Sequence, residues 1–199
     1  MAITLDLSPA LELTDLQFEA ICRRNRDLRL EKTATGEIVV MPPTGGDTGE
    51  RNSSIIGQLW LWNRQQKLAN NQYGRVFDSS TGFRLPNGAT RSPDAAWLQE
   101  PRWQQLTPAQ RQAFLPLCPD FAIELKSPSD DLSDLRQKFQ EYLANGLQLG
   151  WLINPENSTV EIYRPDTPYT SVTNPNRLSA DPLLPGFTMA FDEIFNANS

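Results

Sequence analysis

The chain predicts a mixed α/β (α+β) fold, a mixed central sheet flanked by helices with an N-terminal helix and hairpin, on three observations. Phe121-Ala122-Ile123-Glu124-Leu125-Lys126 alternates apolar residues with small or charged ones, the period of two of a β-strand. Leu132, Leu135, Phe139, Tyr142 and Leu143 recur at helical spacing, with Gly146 as a C-cap. Gln148 to Ile153 is then a second strand-like run. Strand, helix and strand in that order form a crossover that joins parallel neighbours with right-handed topology.

The elements before this unit follow from local signals. Thr14-Asp15-Leu16-Gln17 has the form of a capping box and opens a short helix reaching about Asn25. Leu28 to Glu31 and Glu37 to Met41 read as strands joined by a turn near Thr35-Gly36, and Pro42-Pro43 ends the second. The glycine-rich stretch from Thr44 to Gly49 reads as a flexible linker, since no Gly-Lys-Ser/Thr follows to make a phosphate-binding loop. A helix from about Glu50 to Asn70 packs Ile55, Ile56, Leu59 and Trp62 on the sheet and points Trp60 and Leu61 elsewhere, which suggests a homodimer contact.

Three strands come next, at Gly74–Asp78, Gly82–Leu85 and Asp94–Leu98, with Asn87-Gly88 as the turn between the last two. Pro101 to Arg111 is a polar, helical insertion closed by Pro116 and Pro119. After the crossover unit, Asn154-Pro155-Glu156-Asn157 turns the chain into a strand at Thr159–Tyr163. Five prolines from Pro165 to Pro185 then predict a loop-rich tail until Gly186–Met189. The expected organisation is an N-terminal extension over residues 1–27 and one domain over 28–199.

Composition excludes several chemistries. Among 199 residues there is no histidine, so Ser-His-Asp and Cys-His catalysis and histidine zinc sites are ruled out. Acid–base work falls to carboxylates, lysines, tyrosines or metal-bound water. Two cysteines, Cys22 and Cys118, make no disulfide framework and read as reduced thiols of a cytoplasmic protein. The N-terminus lacks the pattern of a signal peptide, and no apolar run is long enough for a membrane span. The net charge of −6 argues mildly against a nucleic-acid partner, and Arg23, Arg24, Arg26 and Arg29 read as a solvated helix end more readily than as DNA contacts.

Alternation puts Glu124 and Lys126 on one face of an otherwise apolar strand, where burying them is costly without a partner or a metal. Asp94, in Ser92-Pro93-Asp94, adds a second carboxylate from a different strand. If the strands are neighbours, the two acids can hold one Mg²⁺ or Mn²⁺ ion, a backbone carbonyl and waters completing the octahedron. Lys126 could orient or deprotonate a bound water, or stabilise the charge that develops on a phosphate. A bare Glu-X-Lys carries little information and commonly marks the solvent side of a half-covered sheet; the constellation carries the argument.

Pro93-Asp94 with Glu124-Leu125-Lys126 resembles the PD-(D/E)XK signature of restriction-endonuclease-like nucleases. From about residue 28 to 191 the chain resembles a large bacterial family of proposed endonucleases of unknown role. The matching segments include Leu30-Glu31 with Gly36, Met41-Pro42-Pro43, Arg91 to Asp94, Phe121 to Asp130, Lys138 with Tyr142, Gly150 to Pro155, and Leu184 to Phe187. The resemblance implies a restriction-endonuclease-like sheet in which Asp94, Glu124 and the Leu125 carbonyl bind metal and Lys126 is the catalytic lysine. Superfamily members sometimes add an acid from the preceding helix, where Glu50 stands; it reads more readily as a first-turn residue favouring the helix dipole. Glu31 matches a family position without a physical role, and Lys138 either faces the site as a second catalytic lysine or snorkels at the surface.

Two functions follow as expectations. One is a Mg²⁺-dependent endonuclease cleaving DNA by attack of a metal-activated water. The other is a nuclease-fold protein that binds nucleic acid or a protein partner without cutting, favoured by the acidic balance. A small-molecule enzyme on a similar sheet lacks any cofactor motif.

Overall fold

The computed structural model describes residues 3–196. The chain opens with β1 (Ile3–Leu5), α1 (Asp15–Arg24), β2 (Arg29–Lys32), β3 (Ile38–Met41) and the long α2 (Gly46–Leu68). The middle contains β4 (Gly74–Asp78), β5 (Phe83–Arg84), β6 (Thr90–Arg91), β7 (Ala95–Gln99), α3 (Glu100–Gln104) and α4 (Pro108–Arg111). Then come β8 (Phe121–Leu125), α5 (Leu132–Ala144), β9 (Leu149–Asn154) and β10 (Thr159–Tyr163). The last elements are β11 (Thr170–Thr173), β12 (Arg177–Ser179), β13 (Thr188–Ala190) and α6 (Asp192–Phe195).

Six strands form the central sheet in the order β11-β10-β9-β8-β7-β4, with β8 and β9 parallel and the other pairs antiparallel. A second, antiparallel sheet runs β1-β3-β2-β6-β5. The expected mixed α+β architecture is present. Its crossover is α5, joining β8 to β9. Thr14 and Gln17 make the reciprocal capping box that starts α1. At the end of α5, Gly146 has φ +104°, and the N–H groups of Gly146 and Leu147 reach back to the carbonyls of Leu143 and Tyr142, a Schellman closure.

Both faces of β8 are covered, which is why all five of its residues are buried. Phe121, Ile123 and Leu125 face Ile55, Leu59 and Trp62 of α2 together with Phe187, Met189 and Phe191. Ala122 lies on the opposite face with Phe139 and Tyr142 of α5 and with Leu98 and Leu152. Glu124 shares that second face by alternation. Residues 3–27 pack onto the smaller sheet: β1 pairs with β3, and Phe18 of α1 sits with Leu13, Leu30 and Ile38.

Three local expectations change, and that of a helical insertion after β7 is refined. α2 begins at Gly46, so the glycine-rich stretch read as a linker supplies its first turn, Gly45 being the N-cap. The Asn87-Gly88 turn does not join two strands of the main sheet. It closes the short β5–β6 hairpin of the smaller one, where Gly88 has φ +89° and Leu85 and Ala89 are hydrogen-bonded across the turn. The insertion after β7 is two short helices, each with a proline in its first turn. The proline-rich tail contains β11, β12, β13 and α6, and Phe187, Met189, Phe191 and Ile194 give it a buried face.

Candidate active site

The β7–β8 register fixes where the two predicted acids meet. Ala95 pairs with Ile123 and Ala96 with Ala122, so one step beyond the ladder Asp94 lies opposite Glu124. Pro93, which has no N–H, precedes Asp94 where the strands part. The carboxylate of Asp94 closes the open end: its Oδ2 accepts the Leu125 N–H at 2.9 Å. In an extended strand a residue's N–H and C=O point to the same edge, so the Leu125 carbonyl faces Asp94 as well.

Glu124 is 4% exposed and looks toward α5. Its Oε1 accepts the Tyr142 hydroxyl at 2.9 Å and lies 2.9 Å from Lys138 Nζ. Lys138 and Tyr142 are four residues apart on α5, which brings both onto one face of the helix. Of the two expectations for Lys138, the site-facing one describes its position. Its ammonium bridges Glu124 and Glu31, 2.9 Å from an oxygen of each.

Glu31, whose role the sequence left open, sits at the centre of a buried network. It is 2% exposed. Its Oε1 also accepts the Ser92 N–H at 2.8 Å, and its Oε2 lies 3.2 Å from Arg91, which pairs in turn with Glu141 of α5. Arg29 completes the group, with both terminal nitrogens 3.3 Å from Asp94 Oδ1 and a 2.6 Å hydrogen bond to the Ser92 carbonyl. In sequence Arg29 groups with Arg23, Arg24 and Arg26, which are exposed; the chain leaves α1 between them, and Arg29 begins β2 instead. The usable signal was the alternation of Arg29-Leu30-Glu31, which puts both charges on one face of that strand.

Lys126 is not brought to the carboxylates. Its N–H still bonds to the Ile153 carbonyl of the parallel ladder, but its ammonium meets Glu156 at 2.9 Å and the Ser127 carbonyl at 3.2 Å. The chain turns away at Ser127-Pro128, and the β9–β10 turn supplies Glu156 to neutralise the lysine. Glu50 is exposed on α2.

Burial sets the electrostatics, and the cations divide its effect unequally. Desolvation pushes the Glu124 carboxyl up to about 7, against the pull of Lys138, with Asp94 and Glu31 adding repulsion. Glu31 experiences the same desolvation, but Lys138, Arg91 and the Ser92 N–H outweigh it and hold the group below its ordinary value. Burial disfavours the Lys138 ammonium, yet Glu124 and Glu31 together keep its pKa above normal. Tyr142 is raised well above its usual range by burial and by Glu124, so its hydroxyl stays protonated and donates.

No cluster of three or more aspartate, glutamate, cysteine or histidine side chains able to hold a metal occurs among the described residues. Glu31, the third acid nearby, is committed to Lys138, Ser92 and Arg91. What remains is two opposed carboxylates and a peptide carbonyl. Hard oxygen donors of this kind fit Mg²⁺ or Mn²⁺, with waters and phosphate oxygens filling the other positions. The fit requires Arg29 and Lys138 to share Asp94 and Glu124 with the ion.

Residues 15–192 match the Uma2 family, described as "Putative restriction endonuclease". A crystal structure of a protein described as a putative nuclease from Anabaena variabilis ATCC 29413 superposes with a TM-score of 0.68 at 20% identity, covering 83% of this chain and 89% of that one. That likeness establishes a common fold. No protein of curated function matches the chain. Among the described residues, no helix is long and apolar enough to cross a membrane.

Proposed function

This chain belongs to the Uma2 family, and on that premise we propose that it is a metal-dependent DNA endonuclease hydrolysing phosphodiester bonds. The observation that carries the reading is the opposition of Asp94 and Glu124 at the open end of the β7–β8 ladder, with a buried lysine on Glu124. Asp94, Glu124 and the Leu125 carbonyl are the residues to hold Mg²⁺ or Mn²⁺. Such an ion, when bound, supplies Lewis acidity, lowering the pKa of a water and offsetting charge on the phosphate.

The chain's own groups do the rest. Glu124 must be ionised to act as a donor, and the Lys138 ammonium favours that form. Lys138 also puts a fixed positive charge in a site poor in water, where it opposes negative charge building on a phosphate far more strongly than in solvent. We therefore assign the catalytic lysine to Lys138 and leave Lys126, paired with Glu156, on the rim. The Tyr142 hydroxyl fixes the orientation of Glu124, and Arg29 fixes that of Asp94.

A nuclease fold that binds nucleic acid or a protein without cutting is the second reading. It is favoured by the ion pairs that already occupy Asp94 Oδ1 and Glu124 Oε1. Calorimetry of Mn²⁺, alongside cleavage of supercoiled, linear and branched DNA, separates the two. The nuclease reading expects the parent to bind Mn²⁺ and cut, and the Asp94→Ala, Glu124→Ala double variant to do neither. A parent that binds DNA but leaves it intact in Mg²⁺ and Mn²⁺ supports the second.

Two finer proposals accompany this one. Trp60 and Leu61, each about half exposed on α2, support a homodimer contact. The free thiols Cys22 and Cys118 suit a reducing, cytoplasmic setting.

A further inference from the structure

We propose that Arg29 and Glu31 are positioning residues of the site, a pair on one face of β2 that grips Ser92 from both sides and thereby sets Asp94 and Lys138. The proposal rests on the nuclease reading above.

The segment from β6 to β7 needs such a grip. β6 is two residues long and meets β2 only through Thr90 and Lys32. Pro93 then removes one backbone donor and restricts the conformation of Ser92 before it. The β7–β8 ladder begins only at Ala95. Between these points strand pairing holds neither Ser92 nor Asp94. Side chains take over: Arg29 donates to the Ser92 carbonyl at 2.6 Å, and Glu31 accepts the Ser92 N–H at 2.8 Å. Both polar groups of one peptide residue are thus satisfied by two side chains of one strand.

Each gripping side chain also reaches a site residue. Arg29 contacts Asp94 Oδ1 with both terminal nitrogens, and the Glu31 oxygen that takes the Ser92 N–H also takes the Lys138 ammonium. Lys138 is in turn 2.9 Å from Glu124. Displacing Ser92 would therefore move Asp94 through two residues of chain and Lys138 through a shared carboxylate oxygen. The smaller sheet, which contributes none of the proposed metal donors, becomes the jig that aligns them. A network that served only stability would lower the melting temperature without changing how the folded protein binds metal. Positioning predicts the opposite emphasis, because partners that orient ligands typically contribute 10–100-fold to metal affinity or activity.

The test uses the full chain with Glu31→Ala, Glu31→Gln and Arg29→Met. Each variant is read for its Mn²⁺ dissociation constant by calorimetry, its kcat and KM on duplex DNA, and its melting temperature. Glu31→Ala and Arg29→Met are expected to weaken Mn²⁺ or slow kcat by about 10–100-fold, with KM moving by less than about threefold. Glu31→Gln, whose amide oxygen can still accept the Ser92 N–H, should recover part of the loss. Should Glu31→Ala fail to fold, Arg29→Met carries the same expectation and Glu31→Gln a smaller loss in the same direction. Folded variants with parental Mn²⁺ affinity and kcat overturn the positioning role and leave the nuclease reading standing. A parent that neither binds Mn²⁺ nor cuts overturns the nuclease reading, and this role with it.

Discussion

Replacing Glu124 by glutamine should remove a specific pH dependence of stability. In the folded protein the Glu124 carboxyl is raised from its ordinary 4.5 to about 7, chiefly by burial. An acid raised in this way binds its proton more tightly when folded. Its contribution to stability is therefore complete below pH 4.5 and disappears as pH climbs through 7. At about 1.4 kcal/mol per pH unit, the rise corresponds to roughly 3 kcal/mol. Urea unfolding of parent and Glu124→Gln, in EDTA at several values from pH 5 to pH 8, reads it directly. Subtracting the two curves cancels the titrations they share. Glutamine keeps the shape of the protonated carboxyl and cannot ionise. The parent should therefore lose about 2–3 kcal/mol relative to the variant across that window, most of it between pH 5 and 7. A difference that stays constant with pH would refute the reasoning, since Glu124 would then be ionised throughout and Lys138 would be winning against burial.

Lys138→Met should slow DNA cleavage by about 10²–10⁴-fold, whereas Lys126→Met should cost less than about tenfold; equal losses in a nicking assay would restore Lys126 to the centre of the site. Lys138→Met should also lower stability by about 3–5 kcal/mol in urea near pH 8, because Glu124 is left as a buried charge without its ion pair and Glu31 keeps only Arg91. Gly150→Ala would place a Cβ 2.4 Å from the Phe139 ring, so a loss of about 1–3 kcal/mol is expected, measurable as a lower melting temperature. Changing Trp60 and Leu61 together to serine should convert a dimer to a monomer in sedimentation without altering the fold; a parent that sediments as a monomer refutes the contact.

The candidate site was legible where local pattern determines geometry and illegible where it depends on which surfaces meet. Alternation along β8 put Glu124 on a definite face, and the register with β7 then follows from strands that are neighbours. Alternation could equally have revealed Arg29 and Glu31 as one face of β2, but proximity to Arg23, Arg24 and Arg26 tied Arg29 to the end of α1. The position of Lys138 could not be read, because a lysine flanking an apolar stripe reaches solvent or core according to what lies opposite it. Here that is Glu31, over a hundred residues away in sequence. Lys126 shows the limit of alternation itself: the strand ends at Leu125, and a distant turn supplies Glu156. In the fold, propensity misled at Gly46 and in the proline-rich tail, where burial of Thr48 in the first turn of α2 and packing of Met189 and Phe191 in the main core outweigh poor local preference.

The site also shows why an overall charge of −6 says little about anion binding. Exposed charges are screened over about 8 Å at physiological salt, so the many surface carboxylates act weakly at a distance. Inside the network the screening is much smaller. Glu31, Asp94 and Glu124 are matched at close range by Arg29, Arg91 and Lys138. Burial drives Glu124 toward its neutral form, which near neutral pH leaves Glu31, Asp94 and Glu141 balanced by Arg29, Arg91 and Lys138 even though the molecule is acidic. The local field, set by which carboxylates are protonated and which cations are pinned, can therefore differ from the one the overall composition suggests.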